Sequence, residues 1–301
     1  MDILKEVKNT GQSLWLDSLN RGMLLDGSLA GMIKDLGVTG VTSNPSIFEA
    51  AILKSQYYTE PIESLAGQDI PAETIFETLE VEDIQRAADL FNGTYESSAG
   101  ADGFVSVEVK PSLAYDTART IKEGLRLFDK IGRKNVMIKV PATPAGVLAG
   151  STLLKKGVNI NFTLIFSPER YEEVMKAYID AVSWRVAEGL PVDTLASVAS
   201  FFVSRIDTRT DEELETLIQA EEALDVNEVR GLAAAAKGRT AVANSLLAYK
   251  KYSLIFSSAA FRALQTKGAK KQRILWASTG VKNPAYKDTL YADALLLPDS
   301  I

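Results

Sequence analysis

The chain has 301 residues, 46% hydrophobic and 24% charged, with a net charge of −6; the size suits a sizeable core, and the acidic total argues against a general nucleic-acid binder. It contains neither cysteine nor histidine, which excludes disulfides, thiolate nucleophiles, Ser-His-Asp triads and the common zinc sites. It also has no run of about 18 apolar residues and no signal-peptide core in "MDILKEVKNTGQ", so a cytosolic protein without a membrane partner is expected. Any catalysis must then come from carboxylates, lysine, hydroxyls and amides.

In chain order, "SLWLDS" (13–18) reads as a strand and "GVTGVTSNPS" (37–46) as a second, stopped by Asn44-Pro45 because a residue before proline avoids the helical region. A helix is expected to follow to about Leu65, and another over 81–92. "GFVSVEVKP" (103–111) is the third strand. The helix at 115–132 has Ala118, Ile121, Leu125 and Phe128 at helical spacing. "NVMIKVP" (135–141) is the fourth strand, with a short helix to Lys156, and "GVNINFTLIF" (157–166) is the fifth. Ser167-Pro168 opens a helix with Tyr171, Val174, Tyr178 and Val182 inward. "DTLASVASFFVS" (193–204) holds the sixth strand. A helical insertion spans 206–271, acidic at 211–225 and amphipathic at 238–264, and "QRILWASTG" (272–280) is the seventh strand. Strands spaced by helices predict parallel βαβ units, and seven in one unbroken run favour a single α/β domain over 1–301 built as a (β/α)8 TIM barrel over a doubly wound sheet. Neither nucleotide-binding glycine loop follows any strand.

Residues two apart in a strand share a face. On that parity Asp17 goes with Trp15, Thr42 with Asn44, Ser106 with Glu108 and Lys139 with Met137. Asn159, Asn161 and Thr163 share a face, as do Ser200 with Val198 and Ser278 with Trp276. Taken singly, each has a plainer reading: turn chemistry, backbone satisfaction, or a surface ion pair. Taken together, each strand offers a polar group on one parity in its C-terminal half, where barrel active sites sit. Lys139 is the sharpest of them, because an ammonium within a buried strand needs a partner, a route to water or a task. A lysine beside an Asp and a Glu in a dry barrel can attack a ketone as its neutral amine, forming a Schiff base whose iminium permits cleavage or formation of the neighbouring C–C bond.

These motifs match a known family. From "GQSLWLDSLNRGML" through "GVTGVTSNPSIF", "VSVEV", "VMIKVPAT", "GVNINFTLIFS", "ASVASFFVSRID" and "LWASTGVKNPAYKDTLY" the chain resembles transaldolases, more closely the longer bacterial branch. The resemblance implies that Lys139 is the Schiff-base lysine and Asp17 the acid/base at the C4 hydroxyl. It implies that Glu108 and Thr163 relay protons through a water. Asn44, Asn161 and Ser200 would hold the dihydroxyacetone moiety, and Phe202 would wall it. Arg205 and Ser278 would contact phosphate. Many transaldolases place an arginine shortly after that serine; here "ASTGVKNP" offers Lys282 as the second cation. The implied reaction moves a dihydroxyacetone unit from sedoheptulose 7-phosphate or fructose 6-phosphate to glyceraldehyde 3-phosphate or erythrose 4-phosphate, in the non-oxidative pentose phosphate pathway, with no metal and no organic cofactor. The likeness also implies an eighth strand and closing helix after "YADALLLPDS", whereas the sequence stops at Ile301. The expectation is an open seam in a truncated or split barrel, in a monomer, a homodimer or a complex with a partner chain that completes it.

Three other readings fit the same residues. An aldolase releasing free dihydroxyacetone would need no acceptor. A non-catalytic remnant would bind sugar phosphates without turning them over. A magnesium site on Asp17 and Glu108 would lose activity to a chelator.

Overall fold

The structure is a computed structural model and describes residues 3–219 and 226–301. Its strands are β1 (Leu14–Leu16), β2 (Val38–Thr42), β3 (Phe104–Glu108), β4 (Val136–Pro141), β5 (Ile160–Ile165), β6 (Ser197–Phe202) and β7 (Arg273–Ala277). They form one seven-stranded sheet in sequence order, and each neighbouring pair is parallel. Parallel neighbours require a crossover on one face, and right-handed crossovers place the helices outside. One interior cluster joins Trp15 of β1 to Leu275 of β7, together with Phe104, Met137 and Val198. The sheet therefore curls until its two edge strands face the same small core, as in a TIM barrel. Gly40, inward on β2, leaves room for the Trp15 indole: a Cβ there would lie 2.4 Å from the ring.

The opposite parity, with Val105, Val107, Ile138, Val140, Ile160 and Phe162, packs under the outer helices. Polar groups at strand ends start those helices. Asp116, Thr143 and Ser167 cap Thr117–Ile131, Pro144–Lys155 and Pro168–Ala187, each side chain accepting a backbone N–H three residues on. The residues predicted inward on the last of these, Tyr171, Val174, Tyr178 and Val182, are buried.

Several expectations need correction. The helix after Asn44 stops at Lys54, because Ser55 adopts an extended conformation and accepts from Tyr57 N; a 3-10 turn and the helix Thr59–Ala66 follow. The helix placed at 81–92 runs from Ala72 to Ser97. On Thr117–Ile131 the expected Ile121, Leu125 and Phe128 do pack against the core, partly buried beside the fully buried Thr120, Gly124, Leu127 and Ile131, while Ala118 is exposed. Gly124 allows that close packing, since a Cβ there would meet Leu153 at 2.7 Å. The insertion begins at Ser204 and contains the helices Ser204–Gln219, Val226–Ala236, Thr240–Phe256 and Ala259–Gln265. The tail of its acidic part, 220–225, lies outside the described residues. Trp276 faces outward, edge-on to Phe201, so it does not share the inward face expected for it.

β1 and β7 do not pair directly. Residues 299–301 run between them: Ile301 N donates to Ile274 O at 2.9 Å, and Trp276 N donates to Ile301 O at 2.9 Å, the spacing of a parallel ladder. On the other side Ser13 N donates to Ser300 O at 3.1 Å. Beneath, Asp102 accepts from Trp15 Nε1 at 2.8 Å, from Ser13 Oγ and from Arg273 Nη1 at 3.3 Å, while Arg273 Nη2 reaches Ser300 O at 2.7 Å. The expected seam is thus bridged at its lower end by described residues.

Glu80, buried on the 72–97 helix, carries a pH signature. Burial, followed by Glu77, Glu108 and Glu123, raises its carboxyl from 4.5 to about 7. The folded state thus holds the proton more tightly than the unfolded chain, and stability falls as pH rises from the unfolded value through about 7. In Glu80→Gln that loss disappears. The variant is expected to melt like the wild type near pH 4 and to gain on the order of 3 kcal/mol by pH 8. Urea titrations across that range check this, and a pH-independent difference would contradict it.

Candidate active site

Strand register brings the polar residues together. Glu108, Lys139 and Asn161 stand abreast on β3, β4 and β5 as direct Cα partners. Lys139 Nζ lies 3.5 Å from Glu108 Oε2 and donates to Ser43 O at 3.2 Å. The lysine is 5% exposed, so its ammonium has the partners that burial demands without being locked into a tight ion pair. Burial pushes the Glu108 carboxyl above its ordinary range; Lys139 pulls it partly back and Asp17 pushes it further up. A carboxyl in that state can carry a proton at a pH where an exposed one would not.

Asp17, a cavity-lining residue, emerges just past the end of β1, and Thr42 Oγ1 donates to its Oδ1 at 2.6 Å, fixing one oxygen. Asn44 caps the helix Pro45–Lys54 through Oδ1, accepting from Ile47 N at 3.0 Å; its amide NH2 is what it can present to a ligand. Ser200 Oγ donates to Asn161 Oδ1 at 2.8 Å, and Asn161 Nδ2 donates to Ser106 Oγ at 3.1 Å. That clamp fixes which end of the amide points where. Thr163 Oγ1 is buried without a hydrogen-bond partner among the described residues, an arrangement that suits a group awaiting a ligand or water.

All the predicted residues except Asn161 line one cavity of about 1000 Å³ at the C-terminal ends of the strands. Asn161 is fully buried and reaches that space through Ser200. Of the insertion, only Arg205 in its first turn lines the cavity among the described residues; the helix Thr240–Phe256 packs instead on Pro168–Ala187 in the outer ring. The Arg205 guanidinium sits 5.1 Å above the Phe202 ring, which itself packs 5.2 Å from Phe166. Ser278 Oγ hydrogen-bonds Ser204 Oγ at 2.9 Å. Arg205 and Lys282 are exposed at the rim, and neither has a carboxylate partner among the described residues. Two cations left unpaired in an acidic chain make the mouth a place for an anion.

Residues that strand parity did not reveal also matter. The Ser43 carbonyl holds Lys139, and Tyr115, 85% exposed, stands at the rim. A backbone oxygen has no sequence signature; the aromatic in "SLAYDT" just before a helix cap was the available signal for Tyr115. Leu164 and Ser278, both cavity residues, have φ of 59° and 56°. Such left-handed backbone in residues with a side chain concentrates at functional sites.

Among the described residues no group of three or more carboxylates is arranged to hold a metal ion, and no helix is long and apolar enough to cross a membrane. A family model described as transaldolase/fructose-6-phosphate aldolase matches residues 14–301. Over 298 residues the chain is 43% identical to a transaldolase of Trichodesmium erythraeum, covering 99% of this chain and 78% of the relative. It is 44% identical over 301 residues to a transaldolase of Thiobacillus denitrificans, covering 100% and 81%. A transaldolase of Saccharopolyspora erythraea is 44% identical over 298 residues, covering 99% and 77%.

Proposed function

The chain belongs to the transaldolase/fructose-6-phosphate aldolase family, and on that premise we propose that it is a transaldolase acting as one catalytic domain through a Schiff base on Lys139. The observation that carries this reading is the buried Lys139 held 3.5 Å from Glu108 at the floor of the cavity. The neutral amine of Lys139 adds to the ketone carbon of a ketose phosphate. Glu108, raised by burial, supplies the proton with which the carbinolamine loses water, and Thr163 positions that water. Asp17 takes the proton from the C4 hydroxyl as the C3–C4 bond breaks. The electron pair flows into the iminium to give an enamine, and the aldose phosphate leaves. An acceptor aldehyde then takes up the enamine carbon while Asp17 returns the proton to its oxygen, and hydrolysis of the new iminium frees Lys139.

Asn44, Ser200 and, behind it, Asn161 hold the dihydroxyacetone hydroxyls, and Phe202 walls them. Arg205, Ser278 and Lys282 hold the phosphate. The donors are sedoheptulose 7-phosphate or fructose 6-phosphate, and the setting is the cytosolic pentose phosphate pathway. A metal plays no part in this chemistry, so activity should survive a chelator.

Borohydride trapping tests this. Incubated with fructose 6-phosphate and then reduced, the protein should gain the mass of a reduced dihydroxyacetone unit on the peptide holding Lys139. A folded protein that gains no mass, or gains it at another lysine, overturns the assignment. Adding an aldose phosphate acceptor separates transfer from release of free dihydroxyacetone: transfer predicts turnover only with the acceptor present.

A further inference from the structure

The segment after β7 carries Ser278 and Lys282 to the cavity mouth, and it is anchored at both ends to one helix. At its start, Val203 N donates to Ala277 O and Ser204 N to Ser278 O, each at 3.0 Å. At its far end, Tyr286 Oη donates to Asp211 Oδ2 at 2.6 Å and Tyr291 Oη to Asp207 Oδ2 at 2.9 Å. Asp207 and Asp211 lie one turn apart on Ser204–Gln219, whose first turn bears Arg205. Each carboxylate also accepts a backbone N–H from the next part of the insertion, Asp207 from Ala241 at 2.7 Å and Asp211 from Gly238 at 3.0 Å. Gly238, with φ of 68°, lies against the Tyr286 ring, where a Cβ would come within 2.8 Å. Asn283 O accepts from Tyr286 N at 3.1 Å, so a tight turn joins the anchor to Lys282.

Asp207, Asp211, Tyr286 and Tyr291 stand outside the cavity lining, yet the lacing they make spans both rim cations. We propose that Asp211 and Tyr286 are positioning residues that hold Lys282 opposite Arg205, so that the two cations grip the substrate phosphate together; this rests on the phosphate reading of Lys282 given above. An exposed lysine has long rotamer freedom. Fixing its backbone confines where the ammonium can reach, and the gain goes to the phosphate and not to the reacting carbons. Burial and the Asp211 carboxylate push the Tyr286 phenol up to about 12, which keeps it a neutral donor in this role.

The test compares Tyr286→Phe, Asp211→Asn and Lys282→Met with the wild type. Each is assayed with fructose 6-phosphate, with unphosphorylated fructose, and with inorganic phosphate as competitive inhibitor. Each of the three is expected to raise the KM for fructose 6-phosphate and the Ki of inorganic phosphate roughly tenfold, the scale of a lost hydrogen bond to a charged group. For Tyr286→Phe and Asp211→Asn, kcat and activity on fructose should stay near wild type, and Tyr286→Phe combined with Lys282→Met should be no worse than Lys282→Met alone. If Lys282→Met raises both constants but Tyr286→Phe and Asp211→Asn leave them unchanged, the positioning role is wrong and the phosphate role of Lys282 stands. If Lys282→Met changes neither, the phosphate reading falls and the inference with it. Equal losses on phosphorylated and unphosphorylated substrate would mark a merely structural latch and also overturn it.

Discussion

Lys139→Met should lose turnover by a factor on the order of 10⁴ or more, because the other lysine lining the cavity, Lys282, is exposed at the rim and is not the one set beside Glu108. The fold should survive the change. Methionine nearly matches the lysine stem in length, and Lys139 is buried, so its ammonium is held at a desolvation cost that the variant removes. The exposed risk is Glu108, which loses its ion pair with Lys139. Burial already raises that carboxyl, so it can take up a proton and avoid standing as a lone charge. Melting temperature should therefore stay close to wild type at neutral pH, while the trapped adduct vanishes. A variant that keeps turnover within about tenfold of wild type would show that Lys139 is not the nucleophile.

Arg21→Met is the second large effect, and it falls on stability. Arg21 is 3% exposed and Asp83 0%, with Nε to Oδ1 at 2.8 Å. Tyr58 Oη donates to the other Asp83 oxygen at 2.8 Å and accepts from Arg21 N at 2.9 Å, with the guanidinium 5.2 Å above its ring. Removing the cation leaves a buried carboxylate with one donor, a situation that costs about 3–5 kcal/mol. Burial already raises the Asp83 carboxyl against the pull of Arg21. Without Arg21 it should rise further, so the folded variant gains stability on protonation. The deficit is then largest at alkaline pH and narrows as pH falls through that raised titration. Denaturation at several pH values reads this directly; a deficit under about 1 kcal/mol throughout would mean the cluster relaxes to admit water.

Much of the site was legible because the strands are covered on both faces. When nearly every residue of "VMIKVP" is apolar, Lys139 stands out, and period two then says which neighbours share its side. The same rule placed Asp17, Glu108, Asn161 and Ser200 correctly. It misplaced Trp276 with Ser278 because Ser278 sits past the strand end at positive φ, where alternation no longer applies. On 117–131 the apolar spacing found Ile121, Leu125 and Phe128 but not their more deeply buried neighbours Thr120 and Gly124, which do not count as apolar although a close helix approach requires them. The Ser43 carbonyl, and the pairing of Asp211 with a tyrosine 75 positions away, leave no local pattern at all.

The bridge at 299–301 sets an order of assembly. Gln12 Nε2 reaches Ser300 Oγ across a sequence separation of 288, and Ser13 N bonds Ser300 O beside it. During synthesis β1 can pair with β2 early, but its other edge has no described partner until residues 299–301 have left the ribosome. A nascent chain thus carries a bare strand edge over the 288 positions that separate Gln12 from Ser300, the kind of edge that recruits other chains. Joining this edge should be a late and chaperone-sensitive step, because loop entropy must be met before so distant a contact contributes anything.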